Sequence, residues 1–123
     1  MQRFKFILIC GLFLLGTMPA IAGDAAKKSV EAVYKEKTQL SGKQVMVSGK
    51  VVKVNNGIMK RNFLHIQDGT GSEGSNDLIV TSKQTAKVGD KVEVVGTVKL
   101  DTDFGFGYAY PLLVENSTIK VAK

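Results

Sequence analysis

Two kinds of side chain in this sequence are spaced so that they can act together on a ligand. Lys50, Lys53, Lys60 and Arg61 supply cations, and Phe63, His65 and Gln67 then follow at every second position. That interval puts alternate side chains on one face of a strand, while Leu64 and Ile66 take the other. Further along, Phe104, Phe106, Tyr108 and Tyr110 recur at the same interval with Gly105 and Gly107 between them. A ring that stacks on a base contributes ~1 to 3 kcal/mol, and lysine and arginine track phosphates. The chemistry these residue types suit is recognition of single-stranded nucleic acid or a nucleotide.

Other chemistries find less support. His65 is the one histidine, so no histidine pair or multi-histidine metal site can be built. With Met46 or Met59 it offers a nitrogen and sulfur pair suited to Cu(I). Asp68, Asp77, Asp90, Asp101 and Asp103 stand beside glycine or at strand ends, where carboxylates make turns. Asp101-Thr102-Asp103 lacks the spacing and the bidentate Glu of a calcium loop. Gly69-Thr70-Gly71-Ser72-Glu73-Gly74 has no Gly-Lys-Ser/Thr leading into a helix, so it is a flexible connection and not a phosphate-binding loop. No serine triad or paired carboxylate is indicated, and the chain reads as a non-enzymatic protein without a cofactor.

The elements that position these residues begin after a segment that must be set aside. Met1 to Lys5 is a basic opening, Phe6 to Leu15 an apolar run, and Ala20-Ile21-Ala22 a small-x-small triplet. Residues 1–22 therefore read as a secretory signal peptide. Gly16 and Pro19 break the run before the ~20 apolar residues that a membrane anchor needs. Cys10 lies inside the run, where lipid attachment would leave almost no signal upstream. The expected product is periplasmic and monomeric, with no membrane insertion. It has fifteen bases against eleven acids and no cysteine, which excludes disulfides, thiol exchange and cysteine-held metals.

Residues 23–43 form an N-terminal helical segment in this reading, with a helix across 24–40, Ser29 at its N-cap and Val30, Val33, Tyr34 and Leu40 on its apolar stripe. Residues 44–123 then change to a period of two. Val45, Val47, Gly49 and Val51 share a face, and the phase inverts at Val51-Val52, which predicts a bulge or sharp bend. Asn55-Asn56-Gly57 is the expected turn out of this first strand. Strands follow at 62–67, 77–81, from Val92 to Lys99, and at 112–121, with a loop from Asp101 to Tyr110. Val45, Val47, Leu64, Ile66, Val92, Val94 and Val98 are the expected core. Gly49 and Gly96 at inward positions of the two long strands would permit tight coiling.

One helix and five strands, the first long and bent, resemble an OB-fold. The stretch Val47-Ser48-Gly49-Lys50-Val51-Val52-Lys53-Val54, Gly57-Ile58-Met59, and Asn62 through Gly71, with Val88-Gly89-Asp90 and Val94-Val95-Gly96-Thr97, is similar to exported bacterial OB-fold proteins of the nucleotide- or DNA-binding type. The resemblance spans nearly all of residues 30–121. It implies an all-β, five-stranded Greek-key barrel whose binding face is made by the second and third strands, flanked by the first-to-second and fourth-to-fifth loops. Lys50, Lys53, Lys60, Arg61, Phe63, His65, Gln67, Phe104, Phe106 and Tyr108 would then converge on one groove. Two arrangements of the rings stay open. Either Phe63 faces the ligand, or it packs beneath the fourth-to-fifth loop and the Phe/Tyr cluster is a satellite core. The partner class is also open between nucleic acid and an envelope partner, whether a protein, a glycan or Cu(I), held through the same groove.

The signal reading predicts that the mature protein begins at Gly23 and is recovered soluble outside the cytoplasm. Intact-mass measurement of the native chain checks this, and residues 1–22 retained in a membrane fraction would contradict it.

Overall fold

The computed structural model describes residues 25–122, so the signal segment and Gly23 lie outside the described residues. A short strand β1 (Ala26–Lys27) leads into helices α1 (Val30–Lys35) and α2 (Lys37–Leu40). The strands β2 (Gln44–Ile58), β3 (Arg61–Gln67), β4 (Leu78–Ser82), β5 (Lys91–Asp103) and β6 (Ala109–Val121) follow. They form a mixed sheet in the order β1-β2-β3-β4-β6-β5, and β2 pairs again with β5, so the sheet curls into a ring.

The ring depends on β2 serving two neighbours in succession. Gln44 to Lys50 pair with β5, and Lys50 to Ile58 pair with β3. The register slips between Val51 and Lys53, so a bulge stands where the sequence inverts its phase. Gly49 sits where a Cβ would come within 2.6 Å of the Ile66 side chain and 2.8 Å of the Gln67 carbonyl oxygen. At Gly96 a Cβ would lie 2.3 Å from Ser117 Oγ. Both glycines are therefore required by close approach across the curl. All seven expected core residues lie in the buried interior cluster, joined by Val30, Val33 and Leu40 from the helices.

Four boundaries differ from the sequence expectation. The helix starts at Val30, because residues 26–27 pair in parallel with β2, with Lys28 N–H donating to the Met46 carbonyl at 2.9 Å. It also breaks at Glu36, giving two short helices. The first hairpin turns at Met59-Lys60, both with positive φ, and not at Asn55-Asn56-Gly57. That Asn-Gly signal instead falls within β2, where Gly57 at φ +74° lies in a second register slip. Finally, the loop expected from Asp101 to Tyr110 is mostly ladder. Thr102 pairs with Tyr110 and Asp103 with Ala109, which leaves a tight tip at 104–108.

α1 is capped from two directions. Ser29 Oγ accepts the Ala32 N–H at 3.0 Å, as its N-cap position requires. From the loop after β3, Asp68 Oδ2 accepts the Val30 N–H at 2.9 Å and Thr70 Oγ1 accepts the Glu31 N–H at 3.0 Å. Partial burial works to raise the Asp68 carboxyl, but the combined hydrogen bonds from Thr70 and the Val30 N–H outweigh it and hold Asp68 below its usual range. A carboxylate with a lowered folded value contributes stability above its ordinary value of 3.8 and loses that contribution as pH falls through the lowered value. Asp68→Ala should therefore cost about 1 kcal/mol at neutral pH, the scale of a lost cap, with a gap to wild type that narrows in acid. Thermal melts of both proteins across pH 2 to 7 measure it, and a gap that is constant across that range would contradict it.

Candidate functional site

The outward face of β2, β3 and β4 is ordered in cross-strand rows. Lys50 stands opposite Gln67, Lys53 opposite His65, and Asn55 opposite Phe63; on the other side His65 faces Ile79 and Phe63 faces Thr81. The bulge keeps Lys50 and Lys53 on this face together. The expected binding residues are thus neighbours by register, but they do not share a single cavity.

Phe63 is a correction to the ligand-facing placement. It points away from the interior cluster yet is fully buried, because the hairpin between β5 and β6 folds onto it. Its ring centroid lies 5.5 Å from Phe104 in an edge-on contact, 5.5 Å from Tyr108 and 5.7 Å from Tyr110. Such pairs contribute beyond the area they bury. Leu113, also fully buried and outside the interior cluster, belongs to the same outer side of the sheet as Phe63. The satellite-core arrangement is the one the chain adopts, and Phe63, Phe104 and Tyr108 spend ring surface on one another. Burial and the neighbouring Tyr108 both push the Tyr110 hydroxyl above its usual range, so it stays neutral.

Phe106 alone of the expected rings stands out in solvent, 92% exposed at the hairpin tip. Gly105, Phe106 and Gly107 all have positive φ, and the tip is closed by Asp103 Oδ1 accepting the Gly105 N–H at 2.8 Å. The first and last hairpins meet at this end. The Arg61 guanidinium lies 4.5 Å from the centre of the Phe104 ring, a cation–π contact that fixes the base beside the aromatic arm.

Two grooves flank the face. One of about 530 Å³ is lined by Lys60, Arg61 and Lys83 with Thr81, Ser82, Gln84, Asn116, Ser117 and Thr118, and no carboxylate lines it. Lys83 carries no local sequence signal, because it stands in the polar segment between β4 and β5. The other, about 770 Å³, takes in Lys50, Gln67 and Lys91 but also Asp68 and Glu93, so its charge is mixed. An anion is better matched by the first.

His65 has a partner that sequence reasoning assigned to a turn. Its Nδ1 lies 2.6 Å from Asp77 Oδ2, and Gln67 Nε2 donates to Asp77 Oδ1 at 3.3 Å. The Tyr34 hydroxyl donates to the Asp77 carbonyl at 2.5 Å. Burial, assisted by the Asp77 carboxylate, raises the Tyr34 hydroxyl above its usual range and keeps it a donor. The proposed Cu(I) donors are not assembled. Met46 pairs with Val95 on β5, Met59 forms the first hairpin turn, and His65 stands between Lys53 and Ile79. Asp90 and Asp103 do make turns, through the Lys87 and Gly105 N–H groups.

No family model and no curated protein sequence matches the chain. Solved structures do. A Leishmania major Friedlin chain assigned as an aspartyl-tRNA synthetase aligns with a TM-score of 0.57 at 12% identity over 88% of this chain, which spans only 22% of that one. OBody AM3L15, solved bound to hen egg-white lysozyme, aligns at 0.51 and 18% identity over 69% of this chain and 85% of its own. OBody AM3L09, also bound to hen egg-white lysozyme, aligns at 0.50 and 18% identity over 68% and 84%. At these identities the likeness concerns the fold, which is OB-like.

Phe63→Ala should lower stability by roughly 3 to 5 kcal/mol, as for other buried rings, whereas Phe106→Ala should change it by less than about 0.5 kcal/mol. Denaturant titration of the two variants checks this, and a Phe63→Ala protein as stable as wild type would place the ring outside the packed cluster.

Proposed function

We propose that the chain is an exported, monomeric OB-fold module, a five-stranded Greek-key barrel with an N-terminal helix, that binds single-stranded nucleic acid or nucleotides and catalyses no reaction. It belongs in this reading with the exported OB-fold proteins its sequence resembles. The observation that carries the proposal is the carboxylate-free groove of Lys60, Arg61 and Lys83 at the end where the first and last hairpins meet. Those two hairpins flank the ligand face in OB barrels. The hydroxyls and amides of Thr118, Gln84 and Asn116 add neutral hydrogen-bonding groups to a phosphate path, and Lys53 and Lys50 extend the cations along the sheet. Phe106 is the ring left accessible for stacking.

One observation favours a second reading. Phe63, Phe104, Tyr108 and Tyr110 pack on one another, which takes most of the expected stacking surface out of play. An envelope protein or glycan, met by Phe106 and the same polar groove, asks less of those rings. Salt separates the two, because phosphate contacts release counterions.

Fluorescence anisotropy with a labelled mixed-sequence single strand should give binding that weakens steeply with salt. Lys60→Ala, Arg61→Ala and Lys83→Ala should each reduce the slope of log K against log salt by ~0.7, with Phe106→Ala leaving the slope unchanged and weakening binding by ~1 to 3 kcal/mol. No binding at low salt would remove the nucleic-acid reading and leave the envelope partner.

A further inference from the structure

On the outward face of β3 the side chains of His65 and Gln67 both close on the single carboxylate of Asp77, one on each oxygen. This brings their heads side by side although they leave the strand two residues apart. The contact also decides which of their atoms remain. An ionised carboxylate accepts and cannot donate, so His65 must donate from Nδ1, and Nε2 is then the unprotonated nitrogen of the neutral ring. Gln67 donates from Nε2, so its Oε1 remains as an acceptor. Among the described residues no hydrogen bond occupies either His65 Nε2 or Gln67 Oε1. The His65 side chain keeps 19% of its surface exposed.

The network behind this pair is held from outside the strand. Tyr34 on α1 donates to the Asp77 carbonyl, and Asp68, the residue after Gln67, caps the same helix. The ring orientation is thus set by the fold before any ligand arrives. Lys53 stands across β2 from His65 and Lys50 across from Gln67, so cations border two adjacent acceptors.

We propose that His65 and Gln67 form an acceptor pair that reads the donor edge of a nucleobase, with guanine, which offers N1–H and N2–H₂ side by side, as the preferred base. The proposal rests on the nucleotide-binding reading and names its specificity. Thymine and uracil present one donor between two acceptors and set a carbonyl against an acceptor of the pair. Asp77 is a positioning residue: it fixes the tautomer and does not touch the ligand.

Guanosine and inosine 5′-monophosphates differ only in the N2 amino group, so titrating each into the full mature protein isolates that contact. GMP is expected to bind about tenfold tighter than IMP. Gln67→Leu should bring that ratio close to one. Asp77→Asn should weaken GMP and IMP alike, since the amide donates to Nδ1 and moves the ring proton to Nε2, against the N1–H that both bases carry. Because His65 is the only histidine, its imidazole ¹⁵N signals need no assignment, and they should report the Nδ1–H tautomer in the wild type and Nε2–H in Asp77→Asn. Thermal melts confirm that each variant is folded. An Nε2–H tautomer in the wild type, or equal affinity for GMP and IMP, overturns the proposal. Equal affinity alongside salt-dependent oligonucleotide binding overturns it alone, and no binding of either nucleotide or oligonucleotide overturns the nucleotide reading with it.

Discussion

A single strand of fifteen residues has to pair with two different partners, and the rest of the molecule depends on how it changes from one to the other. Lys50 is the handover point, opposite Lys91 on β5 and opposite Gln67 on β3. A regular strand could not make this change, because side chains on the concave side would collide as the sheet tightens. Gly49 removes the collision at the point of closest approach, and the bulge at Val52 rotates the remainder of β2 so that Lys53 emerges on the same face as Lys50. The interior cluster and the outward rows of the candidate site are both set by this one turn of the backbone. Gly96 plays the matching part where β5 passes β6.

The outward face shows how packing takes up surface that the sequence pattern leaves exposed. About 100 residues without a disulfide bury little surface for their length. The chain adds a second cluster outside the ring by folding the β5–β6 hairpin over Phe63. The rings of Phe63, Phe104, Tyr108 and Tyr110 cover one another in edge-on and tilted contacts. Besides Phe106, the outward groups left uncovered are polar and cationic: those of the Lys60, Arg61 and Lys83 groove and of the Lys53, His65 and Gln67 rows. Arg61 joins the two regimes, since its contact with Phe104 belongs to the aromatic cluster while its charge lines the groove.

What the sequence discloses follows from which forces are local. The phase inversion at Val51-Val52 predicts the bulge, and Ser29 predicts its cap, because both are decided by neighbours along the chain. The alternating core positions are legible for the same reason. Phe63 is different. It shares the outward phase of His65 and Gln67, and only the return of a hairpin from forty residues away determines that it is covered. Asp77 likewise carries every local mark of a turn residue, and its pairing with His65 is a product of the β3–β4 register. The Asn55-Asn56-Gly57 signal misleads in the opposite way. Its glycine does adopt positive φ, but it does so within a long strand, while the reversal is made by Met59 and Lys60, which are poor formers of such a turn.

Helix α1 is short, and six residues would not hold a helix in isolation. Its first three N–H groups are nevertheless all satisfied: Val30 by Asp68, Glu31 by Thr70 and Ala32 by Ser29. Two of those acceptors come from the loop that follows β3, so the helix forms where that loop is in place. The dependence also runs the other way. Val30 and Val33 fill one end of the interior, and Tyr34 grips the Asp77 backbone at the edge of β4. The residues on either side of the His65–Asp77 contact are therefore anchored to the same helix, Gln67 through its neighbour Asp68 and Asp77 through Tyr34. The N-terminal segment, which reads from sequence as a helix with an apolar stripe, acts as the brace that holds this part of the face. Rigidity is what a two-acceptor contact needs, because hydrogen-bond discrimination is lost once the side chains can rotate to suit any edge.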